Sequence, residues 1–234
     1  MIITFKALSA LLSYPSDALQ AAVPEIRQVL ADEAILPSPH MQALEPLIQG
    51  IGAGDLFDLQ EIYVLLFDRT RTLSLNLFEH IHGESRERGG AMVDLVETYR
   101  AGGFDLVGPE LPDHLPVLLE FLSTQPLPRA REILADAGPI LAALAERLTR
   151  RGSAYGAVLV ALADLGQAAA DDAVAAALLA EPDDNPEDLT ALDAVWEEAQ
   201  VTFAPDPDAG CPISRDILAK MDVPLSPARA NATQ

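Results

Sequence analysis

The sequence has little cysteine and little positive charge, and each shortage excludes a class of protein. Cys211 is the only cysteine, which rules out an intrachain disulfide and a cysteine-based zinc or iron–sulfur site. Lys and Arg number 15 against 36 Asp and Glu, so the net charge is −21. Because nucleic acids and anionic lipid surfaces bind basic patches, this charge argues against both as partners.

Long apolar runs and recognisable catalytic motifs are also missing. No stretch is long and apolar enough to span a bilayer, and the apolar stretch at residues 7–12 is short for a signal peptide. We therefore expect a cytoplasmic protein without direct membrane insertion. No dinucleotide-binding or phosphate-binding glycine motif occurs, and no serine lies in a glycine elbow. We expect no cofactor, and an enzyme has little support.

Helical periodicity is what the sequence does contain. Half of the residues are hydrophobic, and strand-type alternation is not found. Apolar residues recur three and four positions apart in seven stretches: 5–12, 56–67, 92–99, 115–122, 141–148, 155–162 and 189–196. We predict an all-α, single-domain helical bundle over residues 1–203. Residues 204–234, rich in Pro, Asp and Ala, are predicted to form a loosely ordered tail.

Several residues predict where helices begin and end. Ser38 and Asn185 each precede a proline, which predicts an N-cap followed by proline at the first helical position. Gly102 predicts the end of the helix that contains Met92. Pro24 lies inside a helical stretch and predicts a kink or a break there.

Charge, histidine and large apolar groups concentrate in residues 63–82, YVLLFDRTRTLSLNLFEHIH. Asp68, Arg69 and Arg71 follow an amphipathic helix. Such a run is either a solvated ion-pair cluster or a network that fixes the turn between two apolar stretches. The sequence leaves both interpretations open.

The acids and histidines that follow suggest a metal site, but their spacing is poor for one. Glu79, His80, His82 and Glu84 lie within six residues. Histidines two positions apart face different directions on a helix, whereas helical zinc sites place them four apart. The simpler interpretation is a polar helix end. A metal-binding protein or enzyme that uses Glu79, His80, His82 and His114 remains the alternative hypothesis.

A second candidate motif is Pro-Asp-His-Leu-Pro at residues 112–116. Asp113 occupies the position of a helix N-cap, and Pro116 is tolerated in a first helical turn. The simpler interpretation is a helix start. The functional one is that Asp113 holds His114 at the edge of a groove.

Four segments resemble one family of proteins. They are FDRTRTLSLNLFEHIHGESRERG (67–89), AMVDLVETYRAGGF (91–104), ELPDHLPVLLEFL (110–122) and LDAVWEEAQVTF (192–203). Together they resemble the maturation chaperones of respiratory nitrate reductase, the NarJ type, within the wider TorD/DmsD group. The Arg-Thr-Arg-Thr-Leu-Ser-Leu run is particular to the nitrate-reductase branch.

The resemblance implies an all-α chaperone without catalytic activity. Its implied partner is the catalytic (alpha) subunit of a membrane-bound nitrate reductase, held before its molybdenum cofactor is inserted. Contact is implied through that subunit's N-terminal peptide, a remnant of a twin-arginine signal that forms a basic amphipathic helix. Proteins of molybdenum cofactor biosynthesis are further candidate partners.

A peptide of this kind would lie in an apolar groove between helices, surrounded by acids. The apolar residues expected to contact it equally fit core packing, since the two roles share one sequence pattern. The expected peptide-binding residues are Tyr63, Leu66, Phe67, Asp68, Arg69, Leu75, Phe78, Glu79, His80, Asp113, His114, Leu115, Leu118 and Glu120.

Overall fold

A computed structural model of the chain describes residues 1–83, 85–167 and 172–182. All of them belong to one compact unit, Met1–Asp188. The described residues form ten α-helices: α1 (Ile3–Leu11), α2 (Asp17–Glu33), α3 (Ser38–Ala53), α4 (Leu56–Tyr63), α5 (Glu79–His82), α6 (Arg86–Ala101), α7 (Leu115–Thr124), α8 (Leu127–Arg150), α9 (Gly156–Gly166) and α10 (Asp172–Ala180).

The prediction of an all-α fold is confirmed. Across the described residues the chain forms no strand, and its one β-type contact is an isolated antiparallel bridge between Asn76 and His114. A π-helical turn, Val64–Asp68, continues α4 directly, and a short 3-10 turn, Arg71–Leu73, follows it. Helix α1 packs against α2 and α7, while α9 packs against α3 and α8.

The buried face of α1 shows why the predicted periodicity produces this bundle. Phe5, Leu8 and Leu12 were predicted to share a face, and all three are fully buried. The start of α1 is capped from another helix, because Glu33 accepts hydrogen bonds from the amides of Ile3 (2.8 Å) and Thr4 (2.7 Å). A carboxylate at a helix N-terminus satisfies amides that lack intrahelical partners.

Helices α8 and α9 pack against each other over an extensive contact surface. Their approach depends on Gly166, where an added Cβ atom would lie 2.9 Å from the backbone carbon of Leu134. That separation is shorter than van der Waals contact, so only glycine fits without a shift of one helix. The α8–α9 pair forms the scaffold behind the candidate site.

Of the kink or break predicted at Pro24, the break does not occur. Helix α2 continues through Pro24, because Leu19, Val23 and Ile26 bury its inner face and outweigh one missing backbone hydrogen bond. The cap predicted at Ser38 is wrong. Ser38 is the first residue of α3 rather than its cap; Pro37 occupies the N-cap position, and no side chain caps the helix. The predicted end at Gly102 is confirmed, since α6 ends at Ala101.

Several predictions lie outside the described residues. They are the helix start at Asn185, the last periodic stretch at 189–196, and the boundary between residues 203 and 204. Among the helices that the structure describes, none has both the length and the apolarity to cross a membrane.

Candidate functional site

The two motifs singled out in the sequence lie side by side. Residues 74–78 are not helical and run antiparallel to the chain that enters α7. The Leu77 amide donates to the Asp113 carbonyl (3.0 Å), and the Leu115 amide donates to the Leu75 carbonyl (2.8 Å). Segments separated by more than thirty residues in sequence therefore form one structural unit.

Asp113 joins these segments and does not cap α7, which corrects the N-cap prediction. His114 occupies the N-cap position, and its side chain makes no capping bond. The Asp113 side chain instead accepts a hydrogen bond from the Phe78 amide (3.0 Å) and lies 3.8 Å from the Arg88 guanidinium. Asp113 is fully buried, and this burial raises the pKa of its carboxyl, although the Phe78 amide and Arg88 favour the charged form.

Glu79 belongs to the same cluster. Its carboxylate accepts a hydrogen bond from Arg88 (3.0 Å), so Arg88 lies between Glu79 and Asp113. Arg88 was not among the predicted site residues, and only 20% of its side chain is exposed. No sequence signal could have revealed the contact, because it depends on how α6 returns towards residue 113.

His80 and His114 have different partners. The Nε2 atom of His80 donates a hydrogen bond to the Ser74 carbonyl (2.8 Å), which fixes the tautomer. Burial lowers the pKa of His80, while the Ser74 carbonyl opposes that change. On its other side lies a small cavity lined by Thr72, His80, Ile140, Ala143, Leu144, Arg147, Leu178 and Glu181. His80 is thus turned towards α8 and α10.

His114 lies among acidic side chains. Its Nδ1 atom is 3.3 Å from the Asn76 side-chain oxygen. Burial lowers the pKa of His114, and the carboxylates of Glu110, Asp113 and Asp68 oppose that change. We call Asp68, Glu110 and His114 the His114 rim. Glu110 and Asn76 were absent from the predicted site, and their positions follow from a loop whose path the sequence does not specify.

The pKa of Asp68 depends on the same surroundings. Asp68 is an exposed residue, but nearby protein atoms remove part of the solvent from its carboxylate and so raise its pKa. The negative charge of Glu110 raises the pKa further, whereas His114 lowers it. The rim therefore holds two carboxylates whose negative charges repel each other, and an arriving cation would reduce this repulsion.

Most of the apolar residues predicted to contact a peptide lie in the core beneath the rim. Tyr63 donates a hydrogen bond from its hydroxyl to the Leu12 carbonyl (2.9 Å), and its ring lies 4.9 Å from that of Phe67. Burial raises the pKa of the Tyr63 hydroxyl. The buried apolar members of the predicted set are Tyr63, Phe67, Leu75, Leu115 and Leu118.

Other members of the predicted set reach solvent. Leu66 and Phe78 are partly exposed, and Asp68, Arg69 and Glu120 are exposed. Asp68 belongs to the His114 rim. Glu120 lies on the second turn of α7, and no described contact links it to the rim.

The residues of the metal hypothesis do not form one group. His80, His82 and His114 have different neighbours, since His82 lies 3.9 Å from Glu87. Glu84 is outside the described residues. Among the described residues, no group of three or more His, Cys, Asp or Glu side chains is placed to hold a metal ion.

Fold and site together define an all-helical protein with a buried polar cluster beneath an acidic surface. Comparison with known proteins makes the assignment more specific. The family described as "Nitrate reductase delta subunit" matches residues 15–161. The chain belongs to this family.

Named relatives agree with that membership. The chain is 44% identical over 205 residues to the nitrate reductase molybdenum cofactor assembly chaperone NarJ of Escherichia coli K12, covering 87% of this chain and 86% of the relative. It is 38% identical over 207 residues (88% and 86%) to the probable assembly chaperone NarW of the same organism. A probable NarJ of Bacillus subtilis is 32% identical over 160 residues (67% and 84%). The resemblance seen in the sequence is confirmed.

Proposed function

We propose that this protein is a dedicated chaperone in the assembly of a nitrate reductase. It binds the N-terminal peptide of the catalytic subunit and keeps the apo-subunit competent for molybdenum cofactor insertion and membrane assembly. It does so in the cytoplasm and without catalysing a reaction. Family membership supports the chaperone role, since three relatives are named as assembly chaperones for the molybdenum cofactor of nitrate reductase.

The observation that carries the peptide proposal is the His114 rim. The negative charges of Glu110 and Asp68 favour the protonated form of His114, and Glu110 also raises the pKa of Asp68. A basic side chain placed between the two carboxylates would relieve their repulsion. With a net charge of −21, the whole protein also attracts a cationic segment and increases its association rate.

The His114 member of the rim is held by contacts with neighbouring segments. Asp113, fully buried, links the chain at His114 to the Phe78 amide, while Asn76 contacts the imidazole. A binding site whose side chains are already positioned loses less conformational entropy when a ligand arrives. Release after cofactor insertion requires moderate affinity, so we expect a Kd between about 1 μM and 1 nM, or about −8 to −12 kcal/mol.

Calorimetric titration of the full chain with a synthetic N-terminal peptide of the catalytic subunit tests the proposal. The wild type should bind with one-to-one stoichiometry. Asp68→Asn combined with Glu110→Gln should weaken binding by about threefold to tenfold at low salt and by less at high salt. Glu25→Gln, which changes an exposed acid on α2, is the matched control and should leave the affinity unchanged.

The control separates local recognition from general attraction by an acidic protein. If Glu25→Gln weakens binding as much as the double variant, the rim is not the site. If the wild type shows no saturable heat, peptide binding itself is wrong.

A further inference from the structure

The outer face of α4 carries apolar side chains that are not buried. Phe57 is 79% exposed and Ile62 is 47% exposed, although α4 has only eight residues. Single apolar residues on a surface need no explanation, but a group on one helix face indicates a contact surface. The main contacts of α4 outside itself are with the π-helical turn that continues it.

Helical spacing groups these residues into two rows. Phe57 and Glu61 are four positions apart, as are Asp58 and Ile62, so each pair shares a row on the helix surface. Leu65 and Leu66 follow on the π-helical turn, and both are partly exposed. We call these six residues the α4 face. Four of them are apolar and two are acidic.

The inner side of the same segment packs into the core. Tyr63 and Phe67 point into the core, where both rings contact Tyr155 at centroid distances of 6.2 Å and 5.1 Å. The core therefore holds α4 and the π-helical turn in a fixed rotation. The α4 face keeps its outward orientation, and its residues are available without any rearrangement of the fold.

The charge on the α4 face indicates which kind of partner can bind there. Asp58 and Glu61 are exposed and lie among the apolar side chains. A second copy of this chain would bring the same carboxylates into contact, within a protein of net charge −21, which disfavours self-association. A helix with one apolar stripe and flanking Lys or Arg side chains complements the face in both hydrophobicity and charge.

We propose that the α4 face binds the apolar stripe of a basic amphipathic helix, and that this helix is the peptide whose cationic end contacts the His114 rim. The inference rests on the proposed function. Asp68, the last residue of the π-helical turn, belongs to the rim, so the face leads directly to it. Leu56 to Asp68 extends about 20 Å at 1.5 Å per residue, enough for a peptide helix of about thirteen residues.

Calorimetric titration of the full chain with the synthetic N-terminal peptide of the catalytic subunit tests this placement. Phe57→Ala combined with Ile62→Ala should raise the Kd about tenfold or more, because buried aromatic and aliphatic anchors dominate helix binding. Both side chains are exposed, so the melting temperature should stay near that of the wild type. The matched control combines Val93→Ala and Val160→Ala, which are 59% and 40% exposed on other helices.

A second variant gives an independent readout. Glu61→Lys places a positive charge on the α4 face and should slow peptide association, more at low salt than at high salt.

The outcomes separate the two proposals. A wild-type affinity in the Phe57/Ile62 double variant, while the Asp68/Glu110 variant still weakens binding, overturns the α4 face and leaves the proposed function intact. An equal loss in the Val93/Val160 control also overturns it. Absence of binding by the wild type overturns both.

Discussion

Replacing Asp113 by alanine tests whether one buried carboxylate joins the two parts of the candidate site. Asp113 is fully buried, and its side chain accepts a hydrogen bond from the Phe78 amide at 3.0 Å. In Asp113→Ala that amide loses its acceptor in a place that water reaches poorly. We expect the variant to fold, but with lower stability.

The magnitude follows from the contacts. Losing a hydrogen bond to a charged acceptor costs about 1.5–3 kcal/mol. Arg88 adds little, because it keeps Glu79 at 3.0 Å when Asp113 is gone. Burial disfavours the charged form of Asp113, as its raised pKa shows, so removing the carboxylate recovers part of the cost. We expect a net loss of about 2 kcal/mol, which lowers Tm by about 4–8 °C in a domain of this size.

Urea unfolding followed by circular dichroism measures this loss. Asp113→Asn keeps an oxygen acceptor and should cost less than about 1 kcal/mol, while Asp105→Ala, in an exposed part of the same loop, should change stability by less than about 0.5 kcal/mol. A loss in Asp113→Ala no larger than in Asp105→Ala would refute the reasoning.

The raised pKa adds a pH dependence with a definite sign. The folded state binds the Asp113 proton more tightly than the unfolded state does. Wild-type stability therefore decreases, relative to Asp113→Asn, as pH rises from the unfolded pKa near 3.8 through the higher folded pKa. A gap between the two proteins that widens with pH would contradict this sign.

Three further predictions concern the stability of the fold. Glu33→Gln should lower the free energy of unfolding by about 1 kcal/mol at pH 7. Burial acts to raise the pKa of Glu33, but its hydrogen bonds outweigh this and lower the pKa. The stabilisation by Glu33 is therefore present above the unfolded pKa and disappears as pH falls through the folded pKa. Gly166→Ala should lose about 2 kcal/mol or more, since the new methyl group would meet the Leu134 backbone. Because the folded pKa of His80 is lowered, the wild type should lose stability as pH falls below the ordinary histidine pKa. His80→Gln keeps a donor for the Ser74 carbonyl and should lose less stability over the same pH range.

Each of these has a control or a contrary outcome in thermal unfolding. Gly89→Ala is the control for Gly166→Ala. No atom lies within 4 Å of a Cβ added at Gly89, so the higher helix propensity of alanine should raise the free energy of unfolding by up to about 1 kcal/mol. Equal effects at the two glycines would exclude a steric cause. A loss in Glu33→Gln that stays constant from pH 7 to pH 2 would contradict the cap. Identical pH profiles for wild type and His80→Gln would show that His80 does not titrate as inferred.

Periodicity made the helices predictable because it depends only on local spacing. Phe5, Leu8 and Leu12 share a face in any α-helix, so their burial follows once the helix packs. Pro24 shows the limit of local rules. A proline predicts a break, but burial of the surrounding face maintained the helix, and the free energy of packing is not visible in a short window of sequence.

The candidate site was predictable in its motifs but not in its contacts. The sequence pointed to residues 63–82 and 112–116, and these do lie together. It could not distinguish core from surface, so Tyr63 and Leu115 were expected to contact a peptide although both are buried. Arg88 and Glu110 were missed because their partners come from segments far away in sequence, and only the fold determines those pairs.

The π-helical turn after α4 has a consequence for related sequences. The Arg69 amide bonds to the Val64 carbonyl, five residues back, so this turn contains one residue more than an α-helical turn would. Deleting one residue here would convert the π-helical turn into an α-helical turn and would leave the orientation of the chain after it almost unchanged, because the extra residue lies within the turn. Phe67 would then stay beside Tyr63 and Tyr155. Homologues that keep these ring contacts should therefore tolerate a gap of one residue in this turn more readily than in α4.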